Sequence, residues 1–357
     1  MWIVKRTVNG RDYYAARWYD SDGKRHQKSF KTKAEAKRFG VALEIKPEVR
    51  ASAITVADLM TRYQKTVTPT KRGCREETHR INRLMRYPFA AKLLSNITSK
   101  DIEDFMEARL QERTARSGDG FVSPSTVTKE RITLSAIFSW AVKNGFMAAN
   151  PVRGTSTPER VEARERVASD EDIEKILAAS GWDGETVPAT KTQLVAAAFV
   201  FACKTGMRSG EILQLEEAWI DRNVIHLPKE ATKTFSRRDV ALSKDALRIL
   251  DLVKERGDRP QIFGELSAEQ RDVLWRKIRD RAGLGPVFDS AGRLVREGLN
   301  FHDARATFAT WAASPDPKTG APRLDVLALA RQTGHRDLKM LQRYYRATAR
   351  QIAERLD

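Results

Sequence analysis

The sequence has only two cysteines in 357 residues. Cys74 and Cys203 stand far apart, which excludes a disulfide framework. These two and the five histidines show no close metal-ligand spacing, no HExxH and no CxxC, so no metal site is legible. No stretch approaches the ~20 apolar residues of a membrane span, and the longest apolar run, Leu194 to Cys203, is about half of that. The first residues, MWIVKRTVNGRDYY, turn polar and charged at once and lack the apolar core of a secretory signal. There is no GxxxxGK[ST] phosphate loop, no low-complexity tract and no internal repeat. The expectation is a cytoplasmic protein of several domains, with no metal, no cofactor and no membrane partner.

What is abundant is positive charge. Lys and Arg number 64 against 47 Asp and Glu, a net charge of +17. The excess is regional: residues 1–50 carry 13 basic and six acidic side chains, residues 51–160 carry 18 and 11, and residues 161–357 carry 33 and 30. A basic surface can serve solubility alone. A concentrated excess more often serves a polyanion, because neutralising phosphates releases counterions and supplies affinity without sequence reading. The apolar fraction of 41% is enough for real cores.

The pattern divides the chain. Residues 1–50 read as a small antiparallel sheet followed by a helix. Asn9-Gly10 and Asp22-Gly23 permit the positive φ of tight hairpins, and Thr32 with Glu35 three residues on forms a capping box. Its sheet would present aromatic and basic groups to DNA. Residues 54–150 read as about four helices. TVADLMTRYQKTV has helical apolar spacing, Ser99 and Ser123 are helix starts, the latter followed by Pro124, and Asn150-Pro151 ends the unit. Residues 151–168, with two prolines and many charges, read as a linker. Residues 169–357 read as mixed α+β and mostly helical, with strands at Val224–Leu227 and Asp239–Leu242 around a polar turn. The fold class is multidomain and mainly α.

Four patches in the last domain stand out. Arg208 follows a Gly-bearing turn and begins a helix in TGMRSGEI, where free backbone N–H groups favour an anion. Lys233 lies at the tip of the apparent hairpin. His302 and Arg305 in HDAR are three apart, on one helix face. Gly334-His335 is followed nine residues later by Tyr344 in LQRYYR. Singly, each has a bland reading: a solvated charge, a chance pair, a turn, a packed ring.

In this order they closely resemble the tyrosine recombinase (phage integrase) family. The resemblance runs from about residue 160 to 357 and is carried mostly by FHDARATFAT and TGHRDLKMLQRYY. Residues ~54–150 look like the family's helical core-binding domain in size and pattern. The first domain, through DGKRHQKSFKTKAEAKRF, is similar to the arm-binding domain of integrases of phages and genomic islands. The catalytic set implied is Arg208, Lys233, His302, Arg305, His335 and the nucleophile Tyr344, with Glu211 bracing Arg208. Glu211 reads equally well as a first-turn acid favoured by the helix dipole. Tyr345 is chemically equivalent to Tyr344, and the nine-residue interval from His335 selects the latter. Ala306 stands where many relatives have a second His. ASPDPKTGAPRLD, between the HDAR and GH motifs, looks like a longer loop than usual.

The chemistry agrees with the transfer. Attack on a phosphodiester gathers negative charge on two non-bridging oxygens, which two guanidiniums can each bind with paired hydrogen bonds. The two histidines add donors, and Lys233 can protonate the leaving 5′ oxygen. The resemblance implies a 3′-phosphotyrosyl intermediate, cleavage and rejoining without metal or ATP, and integration or excision of a mobile element. The partners implied are double-stranded DNA at attachment sites and a homotetramer on synapsed DNA, with a DNA-bending accessory protein and a directionality factor as further candidates. Ile352, Ala353 and Leu356 form an apolar stripe in the tail, which docks on a neighbouring protomer or on its own domain. The alternatives are a type IB topoisomerase, a catalytically silent DNA-binding regulator or architectural protein, and a metal-dependent transposase. Activity in EDTA separates the last from the rest.

Overall fold

The computed structural model describes residues 2–8, 11–19, 25–37, 54–114, 120–159, 165–233, 235–290 and 294–345. The chain divides into two compact units, Met1–Glu162 and Ala163–Asp357.

In the first unit, β1 (Trp2–Val8), β2 (Arg11–Tyr19) and β3 (Arg25–Phe30) form an antiparallel sheet in that order. Trp2 pairs with Arg17, and Tyr14 with Phe30. The expected turns Asn9-Gly10 and Asp22-Gly23 lie outside the described residues. The expected capping box is present: the Thr32 N–H donates to Glu35 Oε2 at 3.3 Å and the Glu35 N–H to Thr32 Oγ1 at 3.2 Å, and residues 33–37 are helical.

Four helices follow: α1 (Val56–Thr66), α2 (Cys74–Leu84), α3 (Ser99–Leu110) and α4 (Pro124–Lys143). Their apolar faces meet in one core that includes Leu59, Ile81, Ile102 and Phe138. Ser123 caps α4 with Pro124 in its first turn, as the sequence predicts. The cap of α3 is Thr98 rather than Ser99, because Asp101 reaches back to the Thr98 N–H at 3.0 Å. Ser99 is turned to another use, donating to the Pro151 carbonyl at 2.7 Å. Within the span read as linker, residues 151–155 are packed on these helices. Val152 is fully buried, and Arg131 donates to the Thr155 hydroxyl and carbonyl at 2.9 and 2.8 Å.

The second unit is built around α6 (Lys191–Thr205). Its Leu194–Cys203 run is buried on every side, which is why that stretch shows no amphipathic stripe. Helices α5 (Asp170–Ser180), α8 (Lys244–Lys254), α9 (Ala268–Arg281) and α10 (Asp303–Ala313) pack around it. Phe199 stacks on Trp275 with centroids 4.3 Å apart, and Phe301 closes edge-on against both. The short α7 (Ser209–Leu213) follows α6. Strands β4 (Ile220–Asp221), β5 (Val224–Leu227) and β6 (Arg238–Ala241) form an antiparallel sheet with β6 at one edge. A small ribbon, β7 (Val287–Phe288) with β8 (Leu294–Arg296), precedes α10. Helix α11 (Val326–Thr333) and two 3-10 turns, Leu338–Met340 and Gln342–Tyr344, complete the described chain.

The architecture is multidomain and mainly α, as expected. The tail carrying Ile352, Ala353 and Leu356 lies outside the described residues. Among the described residues no helix is long and apolar enough to cross a membrane.

Candidate active site

The site forms where the ends of α6, α10 and α11 converge. Helix α6 ends at Gly206, whose φ of 67° closes a left-handed cap. A Cβ there would stand 2.5 Å from the Phe308 ring on α10, so glycine is required by both conformation and space. Through this close approach the Gly206 carbonyl meets Nη1 of Arg305, which is 5% exposed.

Arg208 starts α7. Its backbone N–H donates to Glu211 Oε2 at 2.8 Å and its Nη1 to Oε1 at 3.0 Å, while Nη2 donates to the Gly334 carbonyl at 3.2 Å. Glu211, 2% exposed, is therefore both a first-turn acid and a brace for Arg208. The two readings open in the sequence are one arrangement.

Gly334 ends α11 in the left-handed conformation, φ 70°, and turns the chain to His335. The long 314–325 segment does not displace this motif. It folds back on itself, with Arg323 Nη1 donating to Ser314 Oγ at 2.7 Å and the Asp316 N–H to the Ala321 carbonyl at 2.7 Å. His335 Nδ1 lies 2.7 Å from Thr333 Oγ1, and that hydroxyl donates to the Leu329 carbonyl at 2.6 Å. With its proton so used, Thr333 must accept from Nδ1–H, which leaves Nε2 of a neutral ring as the acceptor. Arg305 Nη2 is 3.4 Å from both ring nitrogens. Equal spacing at that distance is a guanidinium lying over the ring face rather than a directed hydrogen bond.

The electrostatics follow from crowding cations where solvent is scarce. Burial lowers Arg305 to about 9, and the like charges of Arg208 and Arg238 add to this. Burial lowers His335 to about 4, with Arg305 next in effect. His302 stands at the start of α10 with its ring reachable by solvent, yet partial loss of solvation and then Arg305 hold it below the ordinary imidazole range. Both imidazoles are thus neutral near pH 7. A cluster of cations that raise one another's energy is relieved by an anion in their midst.

Lys233 is exposed on the β5–β6 connection and near enough for its charge to act on His302. Among the described residues its ammonium has no hydrogen-bond or ion-pair partner. Tyr344 sits in the last 3-10 turn, packed at the margin of a small core of Phe308, Leu329 and Leu341, and its phenol acts on the charge of Arg305. Tyr345 differs: its hydroxyl donates to the Leu324 carbonyl at 2.8 Å, and burial pushes it up to about 12. The adjacent tyrosines are therefore distinguished by hydrogen bonding, one hydroxyl committed to the backbone and the other without such a partner among the described residues.

Two participants escaped the sequence reading. Arg238 Nη2 pairs with Glu211 Oε2 and its Nη1 donates to the Gln332 carbonyl at 2.7 Å. Gln332 itself donates to the Thr205 carbonyl at 3.1 Å. A signal for Arg238 existed: it alternates with Val240 and Leu242, both buried, so it occupies the inward register of β6. Among the described residues no group of His, Cys, Asp and Glu could hold a metal ion.

This succession of a sheet-and-helix unit and a unit built on one buried helix, a small sheet and a convergent Arg/His cluster has counterparts among solved structures. A lambda integrase tetramer bound to a Holliday junction matches with a TM-score of 0.62 at 20% identity, covering 95% of this chain and 94% of that one. The phage integrase family model matches residues 167–351. A protein of Haemophilus influenzae carrying the provisional name integrase/recombinase is 34% identical over 331 residues, covering 89% of this chain and 81% of its own. The shufflon-specific DNA recombinase of Escherichia coli is 31% identical over 316 residues, covering 87% and 74%. The chain belongs to the phage integrase family of tyrosine recombinases.

Proposed function

We propose that this protein is a site-specific DNA recombinase that cleaves and rejoins DNA through a 3′-phosphotyrosyl intermediate, integrating or excising a mobile element. The observation that carries this reading is the convergence of Arg208, Arg305, His302 and His335 in one cationic constellation, with Lys233 and Tyr344 beside it, whose terminal groups make no hydrogen bond among the described residues. The oxygen of Tyr344 attacks phosphorus, the bond to the 5′ oxygen breaks, and Lys233 supplies that oxygen with its proton. The phenolic proton leaves to a neutral imidazole of the site. Arg208 and Arg305, held in place by Glu211 and the Gly206 carbonyl, bind the two non-bridging oxygens as charge builds on them. Because the phosphotyrosyl link keeps the bond energy, a 5′ hydroxyl from the same or a second duplex reverses the step without ATP.

The same reading assigns residues 1–50 to arm-type DNA, 54–150 to the core site and 169–357 to catalysis. The sheet supports an arm role: Arg25 lies over the exposed Trp2 ring at 5.8 Å and Lys28 over the half-buried Phe30 at 5.8 Å, a surface of cations and aromatics suited to a groove. A homotetramer on synapsed DNA is the working assembly, by analogy with the lambda integrase tetramer on a Holliday junction.

The test is adduct formation in EDTA. The protein is incubated with nicked duplexes tiled across the DNA flanking its gene, so that loss of a short fragment traps the intermediate. A covalent adduct mapped to Tyr344 is expected. Activity that requires a divalent metal, or an adduct on another residue, would overturn the mechanism. Deleting residues 1–50 is expected to weaken binding to distal arm DNA while sparing core-site cleavage. Unchanged arm affinity in a gel-shift titration would remove the arm role.

A further inference from the structure

Arg238 is a nearly buried cation outside the recombinase set, and it stands at the end of the loop that carries Lys233. From the first residue of β6 it reaches two other elements at once. Its Nη2 pairs with Glu211 on α7 and its Nη1 donates to the Gln332 carbonyl at the end of α11 at 2.7 Å. Its Nε is buried without a hydrogen-bond partner among the described residues. Gly334 leaves room for it: a Cβ there would lie 2.7 Å from Arg238 Cδ.

Arg238 is also five residues after Lys233, at the end of the same loop. The loop has a second anchor at Thr232, fully buried, whose hydroxyl lies 3.0 Å from the Lys229 carbonyl and 2.9 Å from the Ser236 carbonyl and accepts the Ser236 N–H at 3.0 Å. Lys233 is thus an exposed residue between a buried hydroxyl and a buried guanidinium. A flexible lysine is a poor acid unless its backbone is fixed relative to the scissile phosphate.

We propose that Arg238 is a positioning residue that fixes the Lys233 loop to the Arg208–Glu211–Gly334 cluster, so that proton delivery to the leaving oxygen depends on it. The proposal rests on the assignment of Lys233 as the general acid. Planarity matters to this role, since a guanidinium can bond Glu211 and the Gln332 carbonyl together, whereas an ammonium cannot hold both with the same geometry.

The leaving group provides the test. In the ordinary step the Tyr344 oxygen bonds to phosphorus, the P–O5′ bond breaks, and the departing oxygen takes a proton from Lys233. If the bridging 5′ oxygen is replaced by sulfur, the thiolate leaves unprotonated, since a thiol ionises near about pH 8.5. Single-turnover cleavage is measured for the wild type, Lys233→Ala, Arg238→Gln and Arg238→Lys, on the nicked duplex that gives the wild-type adduct and on its 5′-bridging phosphorothiolate counterpart. Lys233→Ala is expected to lose roughly 10²-fold or more on the oxygen substrate, the lower range for general acid catalysis, and to recover on sulfur. Arg238→Gln is expected to lose roughly 10²-fold on oxygen, the scale of a ~1 Å misplacement, and to recover most of it on sulfur. Arg238→Lys should fall between and recover likewise.

Failure of Lys233→Ala to recover on sulfur would sink the general-acid assignment beneath the proposal. Recovery by Lys233→Ala but not by the Arg238 variants would overturn the proposal itself, placing Arg238's effect in Arg208 and the phosphorane. Oxygen-substrate cleavage at the wild-type rate by either Arg238 variant would overturn it as well. Should Arg238→Gln fail to fold by circular dichroism, Arg238→Lys, which keeps the buried charge against Glu211, decides between these outcomes.

Discussion

Tyr344→Phe is expected to abolish the covalent protein–DNA adduct and leave DNA affinity unchanged. The substitution removes one oxygen at a position where, among the described residues, that oxygen makes no hydrogen bond, and the ring keeps its place beside Leu341 and Phe308. Tyr345→Phe is expected to do the opposite. It deprives the Leu324 carbonyl of a 2.8 Å donor and costs about 1 kcal/mol of stability while adduct formation persists. Denaturing gels after incubation with the trapping duplex, together with urea melts of both variants, check the pair. An adduct formed at the wild-type rate by the Tyr344 variant would move the nucleophile elsewhere.

Arg305→Gln should separate activity from stability. Its guanidinium is buried over the His335 ring and beside two further arginines, an arrangement that lowers its proton affinity to about 9 through burial and like charge. Such a group is held at a cost in the free protein. A neutral glutamine relieves repulsion with Arg208 and Arg238 but forfeits the bond to the Gly206 carbonyl. The thermal midpoint is therefore expected to stay the same or rise. Cleavage is expected to fall by about 10²–10³-fold or more, the scale for removing one transition-state donor. Calorimetry and single-turnover cleavage read the two effects separately. A variant that unfolds early would show that Arg305 serves the fold first.

Part of the polar set was legible because it falls at element boundaries that sequence announces. Gly206 and Gly334 mark two helix ends, and the residues that follow them, Arg208 and His335, are released there toward a common point. The capping residues Thr32 and Ser123 were readable for the same reason, since a cap is a local bond between near neighbours. What the sequence could not display is long-range pairing. Arg238 and Glu211 are 27 positions apart and meet only when the start of β6 comes against α7, and nothing in SRRDVAL distinguishes the inward arginine from its neighbour except the alternation with Val240 and Leu242. The tyrosine choice shows the same limit. Spacing favours Tyr344, but the reason Tyr345 is set apart is a bond to Leu324, 21 residues away. Thr98 rather than Ser99 caps α3 because two good caps stood side by side and Asp101 selected one of them.

Gln332 has a consequence for the free flank of the β4–β6 sheet. Its side-chain amide accepts the Ala241 N–H at 2.9 Å and donates to the Ala241 carbonyl at 3.0 Å, the two bonds that an incoming peptide strand would make on the open flank of β6. An unprotected flank is a template for sheet growth between molecules, and a protein that gathers several copies on one DNA junction would meet that hazard at high local concentration. With one side chain bonding both backbone groups of Ala241, that position of the β6 flank is closed to an incoming strand, and copies gathered on DNA as proposed above would have to associate through other surfaces.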